Sequence, residues 1–196
     1  MRTKTINQLK AEYILSHWQL RNGVVYSKIT DKPAAFSGKD SCGHRRQTIK
    51  LNGKHFPIYI HEAMFVLFHR RPVTEGKQLH HIDQNIENNA PDNLIELSPA
   101  QHNRIHAYLK DDPLHSIYLY RGAWVFHWKD DDGKQHNRTF YGINEAMEYR
   151  NQIEAPRRAE LRALGLNCKR AGNRITENML RRRNHIPNHR LWRTSV

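Results

Sequence analysis

Hydrophobic and polar positions change period several times along this chain, and each change marks an element. Over residues 5–16 apolar side chains recur at Ile6, Leu9, Tyr13 and Ile14, a spacing of three to four that predicts a short amphipathic helix. From Gly23 to Ile60 the pattern shifts to short strands, VVYSKI, RQTIKL and HFPIYI, the last two separated by an Asn52-Gly53 pair suited to a tight hairpin turn. HEAMFVLFH at 61–69 is apolar enough for a buried helix that Pro72 ends. A turn-rich stretch follows. Ser98, Pro99 and Gln101 then carry the signature of a helix start, with Ser98 and Gln101 as reciprocal caps, and that helix is expected to reach about Lys110. After Pro113 the texture changes again: IYLYR, WVFHW, an Asp132-Gly133 turn, QHNRTFY, and a helix from about 144 to 153 predict three strands and one helix.

The composition narrows the class of partner. With 38% hydrophobic residues in 196, small modules in series are expected in place of one large core. Lys and Arg number 32 against 19 acidic residues, a formal charge of +13. Such a surplus favours a polyanion, because each cation placed on a phosphate releases condensed counterions. No apolar run approaches the ~20 residues of a membrane span. The amphipathic N-terminus lacks the apolar core of a secretory signal, so a cytoplasmic protein with no membrane partner is expected. Cys42 and Cys168 are too few for a disulfide framework or a four-cysteine zinc site and are expected to be free thiols.

Candidate chemistry gathers at 80–106. His102 and His106 lie four residues apart on the expected helix, so their imidazoles share a face and can share a metal ion. His80 and His81, adjacent on an extended segment, point to opposite sides, which lets one face a metal and the other an attacking water. Fourteen histidines in the chain leave this reading ambiguous on spacing alone. Asp83, Asn85, Asn88 and Asn89 are expected to shape the intervening loop.

The full string QLHHIDQNIENNAPDNLIELSPAQHNRIH resembles the HNH, or ββα-metal, endonucleases of phage and homing type, and the upstream GKHFPIYIHEAMFVLFHRRP resembles their lead-in. The resemblance covers about 55–108. It implies a DNA phosphodiester hydrolase in which His81 is the general base, Asn93 orients the His81 imidazole through its side-chain carbonyl, and His80, His102 and His106 bind one divalent metal ion. The three-histidine set is similar to that of the bacterial colicin nucleases and departs from the homing pattern, which has Asp first and Asn second. Mg²⁺, Mn²⁺, Ni²⁺ and Zn²⁺ all stay open, with imidazoles suiting Zn²⁺, Ni²⁺ or Mn²⁺ better than Mg²⁺. Arg104 is a candidate phosphate clamp.

YRGAWVFHWKDDDGKQHNRTFYGINEAMEYRNQ resembles the ethylene-response-factor type of DNA-binding fold, which implies a sheet laid in the major groove. Arg121, Trp124, His127, Trp128, Lys129 and Arg138 become candidate DNA contacts. Period-two alternation places Trp124, Phe126 and Trp128 on one face and Val125 and His127 on the other, and leaves open which face meets DNA.

The expected organisation is α+β and modular: an N-terminal helix and β region at 1–55, an HNH core at 56–112, the sheet-and-helix DNA-binding module at 113–155, and a basic tail at 156–196 with eleven Lys/Arg against two acidic residues. The expected function is a metal-dependent DNA endonuclease, either a nickase or a double-strand cutter, acting on duplex DNA as monomer or homodimer. Two rivals stand beside it. One is a non-catalytic DNA-binding regulator; the other is a structure-specific or RNA nuclease.

Overall fold

Thr5 begins the first helix by a reciprocal cap: the Gln8 amide donates to Thr5 Oγ1 at 3.3 Å and the Thr5 amide donates to Gln8 Oε1 at 2.9 Å. This satisfies two amides that a helix start otherwise leaves without partners. The computed structural model describes residues 3–109, 112–168 and 175–183. By backbone clustering the chain divides into two compact units, Met1–His102 and Asn103–Val196.

The first unit contains α1 (Ile6–His17), β1 (Trp18–Arg21) and β2 (Val24–Ser27), then β3 (Gly38–Lys39), β4 (Arg45–Leu51) and β5 (Lys54–Tyr59), followed by α2 (Ile60–His69). β6 (Gln78–His81) and β7 (Leu94–Leu97) complete it, leading into α3 (Pro99–Tyr108). Every pairing is antiparallel, with β1–β2, β3–β4–β5 and β6–β7 as separate small sheets. Asn52 and Gly53, at φ 48° and 79°, form the expected turn of the β4–β5 hairpin. The apolar run Ala63, Met64, Phe65, Val66 and Leu67 is buried throughout, which makes α2 the centre of a core shared with Ile14, Trp18, Val25, Phe36, Ile49, Ile58 and Leu94. Fully buried Ile14 and Ile58 each contribute roughly 1.5–3 kcal/mol of transfer free energy. The helix stops at Arg70, which is left-handed at φ 57°, two residues before Pro72. Residues 1–55 therefore share their core with the segment that follows, and position 55 falls inside β5.

The second unit holds β8 (Ile117–Tyr120), β9 (Ala123–Lys129) and β10 (Gln135–Phe140) in one antiparallel sheet, with α4 (Ile143–Ala163) and α5 (Glu177–Arg183). Leu114, Ile117, Phe126, Ala146 and Met147 form its core, with Trp124, Trp128 and Phe140 packed against them. The expected helix of 144–153 continues ten residues further, through Pro156. Buried Arg158 and Glu154 form a two-pronged ion pair across that proline at 2.8 and 3.2 Å, Arg158 also lies 3.9 Å over the Tyr108 ring, and Leu161 is fully buried. These contacts offset the hydrogen bond that proline removes. The first part of the expected basic tail is thus packed helix, while 169–174 and 184–196 lie outside the described residues.

Candidate active site

A strand, a loop and a helix set the chemistry. β6 and β7 pair with His80 opposite Ile95 and His81 opposite Leu94, and adjacent strand residues face opposite sides. α3 then starts at the expected caps: the Ser98 amide donates to Gln101 Oε1 at 2.8 Å and the Gln101 amide donates to Ser98 Oγ at 3.2 Å. With its start fixed, α3 presents His102 and, one turn along the same continuous helix, His106.

On one side of β6 the structure brings together the three histidines expected to hold a metal. His80, His102 and His106 each offer a ring nitrogen, all within 4.8 Å of one another. His80 is buried, His102 half-buried and His106 exposed, so the group opens to solvent from one side. Tetrahedral zinc with bonds of about 2.0–2.1 Å separates its ligands by about 3.4 Å, a closure within reach of modest side-chain rotation. A set of three neutral nitrogens fits a borderline divalent cation.

On the other side lies His81, also buried. Its Nε2 is 3.1 Å from Asn89 Oδ1, and the Asn89 amide is oriented by its own Nδ2, which donates to the Glu87 carbonyl at 3.1 Å. An amide oxygen only accepts, so Nε2 must carry the proton and Nδ1 the lone pair. Burial first, and the neighbouring His44 imidazole next, hold the His81 pKa below its ordinary 6.5 against the raising effect of the Asn89 bond. The neutral, proton-accepting form is favoured.

Asn93 departs from its expected role. Its side-chain oxygen accepts the Asp83 amide at 3.1 Å, and its Nδ2 donates to Asp83 Oδ1 at 2.9 Å and to the Asn88 carbonyl at 2.8 Å. Its carbonyl accepts the Ile82 amide at 2.9 Å. Asn93 ties the loop shut, and the side chain on the His81 ring is Asn89, which the sequence reading placed among the loop-shaping residues. Asp83, Asn85 and Asn88 do shape that loop: Asp83 accepts from the Asn85 amide and from Asn88 Nδ2, and these bonds lower its pKa.

Two histidines absent from the sequence reading complete the surroundings of His81. His44 stacks on it at 5.8 Å between ring centroids, and His61 meets it edge-on at 5.3 Å. His61 lies in the run read as a buried helix, and His44 sits in the turn between β3 and β4; no spacing linked either to position 81. Burial, followed by the charges of His81 and His44, takes the His61 pKa down to about 3.

The remaining candidates lie in the second unit. Arg104 is mostly buried and paired with Asp131, which contradicts its reading as an open phosphate clamp. Trp124 and Trp128 pack into the core that α4 covers, and Arg138 lies 4.4 Å over the Tyr149 ring of α4, so these three occupy the covered face. His127 and Lys129 have the opposite parity on β9, with Lys129 exposed, and exposed Arg121 forms the β8–β9 turn at φ 50°.

Residues 59–104 match the family model of the HNH endonuclease. No curated protein matches the chain. A solved structure described as "DNA binding and cleavage by the HNH homing endonuclease I-HmuI" is similar at 19% identity and a TM-score of 0.33, covering 68% of this chain and 76% of that one. The matched segment contains His80, His81, Asn89, Asn93 and His102, so the candidate site lies largely within the stretch that is similar to the HNH endonucleases.

Proposed function

We propose that the protein is a divalent-metal-dependent endonuclease that hydrolyses duplex DNA. The observation that carries this reading is the division of labour across β6: His81, with Nε2 held by Asn89, offers a lone pair at Nδ1, while His80, His102 and His106 converge on the opposite side. Neutral His81 takes the proton of the attacking water at Nδ1, and the Asn89 oxygen stabilises the imidazolium that results. His80, His102 and His106 hold the cation, which when bound supplies Lewis-acid stabilisation of charge on the phosphate and the leaving oxygen. Burial of His80 and His81 keeps bulk water from competing for their nitrogens.

DNA is favoured as substrate by the formal charge of +13 and by the run of exposed Lys39, Arg45, Lys50 and Lys54 beside the β4–β5 hairpin. Arg121, His127 and Lys129 are the candidate contacts in the second unit that lie off its covered face. One such centre cuts one strand, so the first product is nicked DNA. The test is to strip the full chain with chelator, restore Zn²⁺, Ni²⁺, Mn²⁺ or Mg²⁺ singly, and compare duplex DNA with RNA. Metal-dependent cutting of DNA supports the reading; cutting confined to RNA, or none with any cation, overturns it.

A further inference from the structure

The turn at 40–44 is built with more care than a connection between two short strands requires. Asp40 Oδ1 accepts the amides of Cys42 and His44, each at 2.9 Å, and Oδ2 lies 3.4 Å from His44 Nδ1. The Asp40 amide donates to the His44 carbonyl and the Gly43 amide to the Asp40 carbonyl, both at 3.1 Å. The turn is also docked on the loop that follows His81: Gly43 lies so near Ile86 that a Cβ there would meet Ile86 Cδ1 at 3.2 Å, and Arg45 reaches Glu87 at 3.6 Å. The result is a fixed Asp-His pair whose imidazole stacks on the His81 ring.

Three imidazoles meet there. His44 and His61 are 5.1 Å apart, and each lies within 6 Å of His81. Asp40 makes its close side-chain contact with His44, 3.4 Å from Nδ1. His61 Nδ1 is buried with no hydrogen-bond partner among the described residues, and its ring lies flat on Tyr59 at 5.3 Å. His44 thus turns Nδ1 to the Asp40 carboxylate, and Nε2 is the nitrogen on the far side of the ring from it.

We propose that His44 is a further catalytic residue, whose Nε2–H donates to a non-bridging oxygen of the phosphodiester that His81-activated water attacks, with Asp40 as its positioning residue. The inference rests on the nuclease reading above. Its donor would sit on the His81 side of β6, across the strand from the three-histidine group, so the phosphate is held from two directions. Asp40 and His44 both fall outside the residues that match the family model.

The test compares wild type, His44→Gln and His44→Ala in the full chain by single-turnover cleavage, DNA affinity and thermal melting. A lost donor to a transition-state oxygen costs about 10²- to 10³-fold in rate, so His44→Ala is expected to fall by that factor with near-normal affinity and melting, and His44→Gln, which keeps a neutral donor, to recover part of it. An unchanged rate in His44→Ala, with wild type active, overturns the role of His44 and leaves the nuclease reading standing. Equal losses in the two variants, in step with melting, also overturn it in favour of a structural part. A second readout covers an inactive wild type or an unfolded variant: nitrogen NMR of the wild-type histidines titrated with a short duplex in chelator. A shift at His44 Nε2 supports the contact, and its absence overturns it.

Discussion

Asn89 Oδ1 and His81 Nε2 lie 3.1 Å apart, and this single bond fixes both the orientation and the tautomer of the proposed general base. Asn93, four residues on, makes three side-chain bonds, all to the loop. The two asparagines are therefore expected to fail differently. Asn89→Ala should lower the single-turnover rate by up to about 10²-fold with little loss of stability, because the His81 imidazole is no longer held in its productive orientation. Asn93→Ala should instead lower the melting temperature, because it removes the three bonds that tie the loop shut. Matching losses of rate and stability in both variants would reverse this assignment.

Acid should weaken the fold through His61. Its folded pKa of about 3 lies below the ordinary 6.5, so between these values the unfolded chain binds the extra proton. Stability contributed by neutral His61 is present above pH 6.5 and is lost as pH falls toward 3. His61→Phe keeps a ring on Tyr59 and removes that proton; its melting temperature should depend less on pH across this window than that of wild type. Identical slopes for the two proteins would contradict the burial argument.

Gly43 has φ +91°, a conformation that costs any residue with a Cβ about 1–3 kcal/mol. Gly43→Ala should therefore melt at lower temperature and cut more slowly, because the His44 turn is displaced from the loop behind His81. The contact with Ile86 Cδ1 is with the end of a flexible side chain. Adding Ile86→Val should restore little if backbone strain dominates; full recovery would assign the effect to the clash.

Removal of His102 or His106 should weaken binding of Zn²⁺ or Ni²⁺ by at least about 100-fold in calorimetry, more than loss of a supporting residue does, with binding weaker at low pH as protons compete for the imidazoles. Unchanged affinity in either variant would remove that histidine from the metal group.

Much of this arrangement is written in local sequence. The caps at Thr5-Gln8 and Ser98-Gln101, the Asn52-Gly53 turn, and the His102/His106 spacing each follow from groups within four residues of one another, where helix and turn geometry leaves few alternatives. Parity along β9 likewise gave the two faces of the second sheet, and only packing under α4 shows which is covered. Asn89 and Asn93 belong to the same Asn-rich loop, and nothing periodic in a loop says which amide meets His81. His44 lies 37 positions upstream on a turn, so its place depends on how the β3–β4–β5 sheet docks against the loop at Ile86 and Glu87. The helix expected over about 144–153 runs on to Ala163 because the buried Glu154–Arg158 pair and Leu161, which no local pattern announces, carry α4 through Pro156.

The central claim is that His81 abstracts the proton of the attacking water. Its most direct measurement is single-turnover nicking of supercoiled plasmid by wild type and His81→Ala at saturating metal, with metal affinity and melting temperature measured on the same preparations. A fall of about 10²- to 10⁴-fold in His81→Ala, with metal binding and melting unchanged, is the expected result for loss of a general base. Wild-type nicking by His81→Ala under those conditions would contradict the account.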